Sequence, residues 1–212
     1  MITRTIQNIS RFKINDETNS NTYWGFDQEW YTTKWKRLSG CGPTTAANII
    51  SYLNRTSAGT DSDYLPLMKS SCQSLMDEVW KYVTPTLSGI SSTKLFYDDV
   101  LNYAQAKSIN LTLEVIDIPK DRLRRPELLT VLSFLDEALC RDTPVAFLNL
   151  NNGDEKQLDS WHWVTIVSVE YAEDGSTALI EILDEGKIKK INLAQWFQTT
   201  TLGGGFVSFN QQ

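Results

Sequence analysis

The chain has 212 residues, 41% of them hydrophobic and 22% charged, with a formal net charge of −6 at pH 7 and a pI near 4.9. That length fits one large domain or two small ones and is ample for a sizeable core. The acidic balance argues against non-specific nucleic-acid binding, and no run reaches the ~18 apolar residues of a membrane span.

The N-terminal stretch MITRTIQNISRFKIND lacks a secretory apolar core, which points to a cytoplasmic protein, with secretion after removal of a leader left open. Three scattered cysteines, Cys41, Cys72 and Cys140, and a single histidine, His162, give neither a disulfide framework nor zinc-site spacing. A reducing compartment is therefore expected, and no metal or organic cofactor is implied. Residues 1–22, polar from 15 onward, are expected to be a flexible or extended segment. Residues 23–40 carry Tyr23, Trp24, Phe26, Trp30, Tyr31 and Trp35 and read as an irregular loop packed on the domain, in which Trp24, Trp30 and Trp35 either line a cleft or clamp the loop. The basic clusters KWKR (34–37) and KDRLRR (120–125) read as solvated loop charge.

From Pro43 to Asn54 the pattern turns helical, with Ala46, Ile49, Ile50 and Leu53 at helical spacing. GTDSD at 59–63 reads as a break. Further helices are expected over 74–83, about 92–107, and Pro126 to about Arg141; LTLEVID (111–117) reads as a strand. After Pro144 the character changes. VAFLNL, WHWVTIVSVEY, TALIEILD, KIKKINL and GFVSFN all read as strands joined by short turns. A helical half followed by a mostly antiparallel half predicts an α+β domain of two lobes, helical over about 41–141 and sheet over about 144–209.

The chemistry concentrates on three residues. Cys41 lies in SGCGPTT, at a helix entry whose free N–H groups and dipole stabilise a thiolate. Gly40 and Gly42 are expected to leave the backbone there uncrowded for a substrate, and the Cys41 N–H to face a developing oxyanion. A cysteine nucleophile needs a base, and His162 at the start of its strand is the one imidazole available. Folding the EDGS hairpin about residue 174 sets Asp184 near Val164 and His162 near Gly186. His162 and Asp184 then share a face as diagonal neighbours, roughly 7–8 Å apart at the backbone, so that Asp184 would hold the ring's tautomer. A one-residue slip would separate them. Each residue also has a plainer role open to it: a packed cysteine, a half-buried strand histidine, a turn aspartate.

SGCGPTTAANII, then PVAFLNLNN with SWHWVTIVSVE, then ALIEILDEGKIKKINLAQWF, resemble a papain-like cysteine peptidase. The branch they are most similar to is that of bacteriocin-processing, double-glycine leader peptidases. The resemblance spans roughly residues 38–209 and implies Cys41 as nucleophile, His162 as general base and acid, and Asp184 as orienting carboxylate, acting on a peptide or protein substrate. Family members place a glutamine just before the cysteine as oxyanion donor. Here TTKWKRLSG precedes Cys41, and Gln28, thirteen residues upstream, is the candidate. Trp196 is a candidate to cover the His–Asp pair from water, or else core. LGGGF (202–206) is similar to the double-glycine cleavage site but reads as a turn before the last strand. Cys72 and Cys140 are bystanders. Two other readings stay open: an acyltransferase or amidase using the same trio, and a papain-like binding module without activity. Oligomeric state, substrate and pathway are not legible.

Overall fold

The computed structural model describes residues 1–58 and 65–212; the break expected at 59–63 lies outside the described residues. The main sheet is antiparallel and reads, from edge to edge, β5 (Leu111–Ile118), β10 (Gly204–Gln211), β6 (Val145–Asn149), β7 (His162–Tyr171), β8 (Ala178–Asp184) and β9 (Lys187–Asn192). β6 is buried at every position, as a strand covered on both faces must be. Its side chains alternate between two cores. Ala146 and Leu148 join Trp163, Val207 and Phe209 on one face, while Val145 and Phe147 join Val164, Ile166 and Phe206 on the other.

Helices cover both faces. α2 (Cys41–Ala58), α3 (Lys69–Val79) and α4 (Thr93–Ala106) contribute to the first core, and α5 (Leu128–Cys140) and α6 (Leu193–Thr199) to the second. α2 lays Ala46, Ile49, Ile50 and Leu53 against the sheet, the residues whose spacing marked the helix. Burying each of the three larger side chains contributes roughly 1.5–3 kcal/mol, which fixes the helix that begins with Cys41. The observed α+β architecture matches the expected class, with the helical layer split across the sheet.

Of the two expectations for the N-terminal segment, the structure has the extended one. Residues 1–22 are built into the fold: β1 (Ile2–Thr5) pairs antiparallel with Ser168–Tyr171 of β7, along the edge that β6 leaves free beyond Ile166. Ile6, Phe12 and Ile14 are buried. A smaller sheet joins β2 (Lys13–Asn15) to β3 (Thr22–Trp24) and to β4 (Leu67–Met68). The segment 23–40 is more regular than read, holding a 3-10 turn at Gln28–Trp30 and the short helix α1 (Lys34–Ser39), which Thr33 caps by accepting from Lys36 N–H.

The β7–β8 ladder carries the decisive local feature. Near the turn, Tyr171 faces Ala178 and Ser168 faces Glu181; beyond an irregularity between Ile166 and Ser168, Ile166 faces Ile182 and Thr165 faces Leu183. The turn-end register continued without interruption would set Asp184 opposite Thr165, on the wrong face for His162. The extra residue, Val167, shifts the register by one, so that Asp184 falls opposite Val164. Burial follows the same switch: Val164 and Ile166, then Val167 and Val169, all face the α5 side.

Candidate active site

Cys41 is the first residue of α2, separated from α1 by Gly40 alone. The two glycines serve packing rather than openness. A Cβ at Gly40 would lie 2.4 Å from the Lys36 carbonyl oxygen and 2.7 Å from the Tyr31 ring, and one at Gly42 would lie 2.7 Å from Ile90. The expectation that they leave the backbone clear for a substrate is therefore corrected: they let α1, Tyr31 and Ile90 approach the cysteine's backbone. Cys41 itself is half-exposed and free.

His162 opens β7 and Asp184 closes β8. The imidazole Nε2 lies 2.8 Å from Asp184 Oδ1, and the Cys41 thiol faces the ring across the same pocket, close enough to bear on its titration. With Nε2 taken by the carboxylate, Nδ1 is the nitrogen left for sulfur. Cys41, His162, Asp184 and Gln28 line one narrow pocket, along with Asn48 and Glu185. Burial acts against a charge on His162, but the hydrogen bonds to Asp184 and Cys41 and the charges of both outweigh it and raise the ring's pKa above its ordinary value. Burial pushes Asp184 up, yet its bond and attraction to His162, followed by those to Lys189, leave its pKa lowered.

Gln28 reaches this pocket because the chain before it is held at three successive amides. Trp24 N–H donates to the Gly186 carbonyl, Gly25 N–H to the Phe12 carbonyl and Phe26 N–H to Asn48 Oδ1, at 2.8, 2.8 and 2.9 Å. The acceptors belong to the β8–β9 turn, the N-terminal segment and α2. The buried Asn48 amide also donates to Thr165 Oγ1 at 3.3 Å, so one side chain ties loop, helix and strand together. Neither Asn48 nor Lys189 was singled out from the sequence. Asn48 sits on the buried face of α2, where a polar residue among apolar ones was the available signal.

The tryptophans divide. Trp163 is buried, stacks on Phe96 at 4.1 Å and donates its indole N–H to the Ile90 carbonyl at 2.7 Å. Trp161 instead has φ 59°, a left-handed conformation unfavourable for a bulky residue, and its side chain is 58% exposed. It forms one wall of a cleft of about 460 Å³ that ends at Cys41, with Trp35, Leu38, Leu87 and Ile90 on the other sides. Trp35 is thus a cleft residue, whereas Trp30 is buried against Tyr23 and Phe26. Trp196 does not line the pocket. It is fully buried, edge-on to Phe147, and donates to Asn149 Oδ1 at 2.7 Å; Asn149 is the residue paired with His162 in the ladder. Cys72 is buried and Cys140 exposed, and neither lines the pocket or the cleft. Gly203, with φ 74° and the Ile118 carbonyl where a Cβ would stand, makes the LGGGF stretch a turn into β10.

Among the described residues no group of three or more His, Cys, Asp or Glu is placed to hold a metal ion, and no helix is long and apolar enough to cross a membrane.

No protein-family model and no curated protein matches the chain. Solved structures do match, among them UfSP from C. elegans, which aligns with 99% of this chain and 34% of its own at 13% identity and a TM-score of 0.50. This chain thus spans about a third of that neighbour's length. The likeness bears on the fold alone, a mixed α+β arrangement of helices on an antiparallel sheet of papain-like type. It does not extend to the double-glycine branch, which rests on the sequence motifs quoted above.

Proposed function

We propose that the chain is a cysteine peptidase acting through Cys41, His162 and Asp184. The observation that carries this reading is the gathering of Cys41, His162 and Asp184 in one narrow pocket, with the imidazole bonded to the carboxylate and Cys41 also bordering an open cleft. As the thiol is activated its proton passes to His162, whose positive charge is then stabilised by the Asp184 carboxylate. The thiolate attacks a peptide carbonyl. The oxyanion that forms meets the Gln28 side chain and the N–H groups at the start of α2. His162 then gives its proton to the leaving amine and the C–N bond breaks, leaving a thioester on Cys41. The neutral ring takes a proton from water, hydroxide adds to the thioester, and the acid leaves as thiolate and imidazolium are restored.

The cleft beside Cys41 suits an extended peptide that carries bulky apolar side chains, since Trp161, Leu87 and Leu38 present large exposed surfaces there. Acyl transfer to an amine would use the same thioester, and nothing in the pocket favours it over water.

The test is alkylation by iodoacetamide at neutral pH, read by peptide mapping, alongside hydrolysis of a fluorogenic peptide library. Cys140, exposed, is the internal reference, and Cys72, whose thiol burial pushes up to about 12, is the silent control. Cys41 is expected to react at least tenfold faster than Cys140, to lose that advantage in His162→Gln, and to take hydrolysis with it when alkylated. Equal reactivity of Cys41 and Cys140 would remove the activated thiol and the reading with it.

A further inference from the structure

The carboxylate that holds His162 has a second cation on its other oxygen. Asp184 and Lys187 close a two-residue turn, Glu185–Gly186, with φ of 51° and 68°; left-handed values at both positions are what a tight hairpin of this twist requires. In the ladder that follows, Lys189 faces Ile182. Lys189 and Asp184 are therefore diagonal neighbours on one face, as His162 and Asp184 are across the next strand pair. The Lys189 ammonium lies 2.7 Å from Asp184 Oδ2 and 2.9 Å from Glu185 Oε2, while His162 holds Oδ1 at 2.8 Å. Three adjacent strands thus bring imidazole, carboxylate and ammonium into one line.

We propose that Lys189 is a tuning residue of the site: its ammonium counterbalances Asp184, so that the carboxylate orients His162 without holding its proton too tightly. The catalytic consequence rests on the peptidase reading. The ring must be charged when the thiolate attacks and neutral when it activates water. Facing it are Cys41 from α2 and Asp184 from β8. Behind Asp184 stand Glu185 in the turn and Asp27 ahead of the 3-10 turn, with Glu29 beside it. Burial above all, and then the charges of Glu29, Glu185 and Asp184, raise the Asp27 pKa; Glu29 is itself paired with Arg37 and Glu185 with Lys189. Without Lys189 the Asp184 carboxylate would hold the His162 proton more tightly still and slow thioester hydrolysis. Lys189 is itself held charged: burial opposes its charge, but its bonds to Asp184 and Glu185 raise its pKa.

Lys189 reaches His162 across the width of one carboxylate, a charge separation of roughly 7 Å, at which like charges in an effective dielectric of ~20 shift each other's titration by up to about two pH units. Because His162 is the only histidine, its imidazole nitrogens can be followed alone by NMR in the full chain. Lys189→Met is expected to raise the His162 midpoint by about one to two units and to leave an acyl-enzyme that accumulates after a burst, with hydrolysis at neutral pH slowed about ten- to hundredfold. Lys189→Arg is expected to restore both. Should the methionine variant not fold, Lys189→Gln gives the same comparison. A midpoint that stays in place or moves down in the folded variant overturns the proposal. The titration needs no substrate: a shifted midpoint in a chain that hydrolyses nothing would sink the peptidase reading alone, and an unmoved midpoint in an active enzyme would sink this inference alone.

Discussion

Replacing Asp184 by asparagine keeps the shape of the group that holds His162 and removes its charge. The contact is 2.8 Å from Nε2 to Oδ1, and both side chains are largely buried, 12% and 7% exposed. At an effective dielectric of ~20 a charge pair about 4 Å apart is worth roughly 4 kcal/mol, equivalent to about three units of the imidazole's titration at 1.36 kcal/mol each. The amide oxygen still accepts from Nε2–H, so the expected fall in the His162 midpoint is about one to three units. The sign is opposite to that for Lys189→Met. His162 in the native chain stays protonated above the ordinary imidazole range, so the imidazolium-dependent limb of kcat/KM lies above pH ~6.5 and moves down in Asp184→Asn. Lys189 keeps a partner in Glu185 at 2.9 Å, so the hairpin should survive the change. The assay is a 15N imidazole titration of native and variant chains, paired with kcat/KM against pH. Asp184→Ala, which cannot accept from the ring, should lose more activity than Asp184→Asn. A His162 midpoint that is unchanged in folded Asp184→Asn would refute the claim that this carboxylate governs the ring.

Gln28→Ala is expected to lower kcat about a hundredfold or more with little change in KM, since an oxyanion donor acts in the transition state; a variant with native kcat would move that role to the backbone. Trp161→Ala and Leu87→Ser are expected to raise KM for apolar peptides while alkylation of Cys41 by iodoacetamide stays at the native rate, because neither touches the His–Asp contact. Asn48→Ala leaves the buried Phe26 N–H without its acceptor and should cost about 1–3 kcal/mol in denaturant unfolding, with a larger drop in kcat than the stability loss explains, because the Gln28 loop loses one of its three ties. Trp196→Phe removes the donor to Asn149 and should lower stability by a similar ~1–3 kcal/mol while the His162 titration stays in place; a shifted titration would restore the role of water shield expected for this tryptophan.

How much of this was legible in the sequence depends on the length of each pattern. α2, α4 and α5 announce themselves through apolar residues at helical spacing and β5 to β10 through short strand-like runs set off by turn signals, and the single histidine narrows the search for a base to one position. β1, with only Ile2 apolar in ITRT, is a strand because β7 offers it an unpaired edge, which no local pattern records. α1 and α6, six and seven residues long, are too short for periodicity and begin at side-chain caps, Thr33 and Asn192. Lys189 reads as surface charge in KIKKIN until the hairpin register shows it to be across the carboxylate from His162.

The bulge at Val167 shows why the site was legible although its support was not. A hairpin folded symmetrically about residue 174 pairs Asp184 with Val164, and the structure reaches the same pairing at the site end. It does so from a turn that is one residue out of that register, with Tyr171 facing Ala178, and the mismatch is absorbed inside the run IVSV. Nothing in a run of three β-favouring residues and one serine marks where an extra one is accommodated. What fixes it is tertiary: Ile166 and Val167 both face the α5-side core, while Ser168 turns to the other face and meets Thr5 of β1 at 3.0 Å. The core therefore selects the register, and the register selects which carboxylate the imidazole meets. The geometry of the proposed site at the end of β7 is in this sense set five residues away, by a valine that lines neither the pocket nor the cleft.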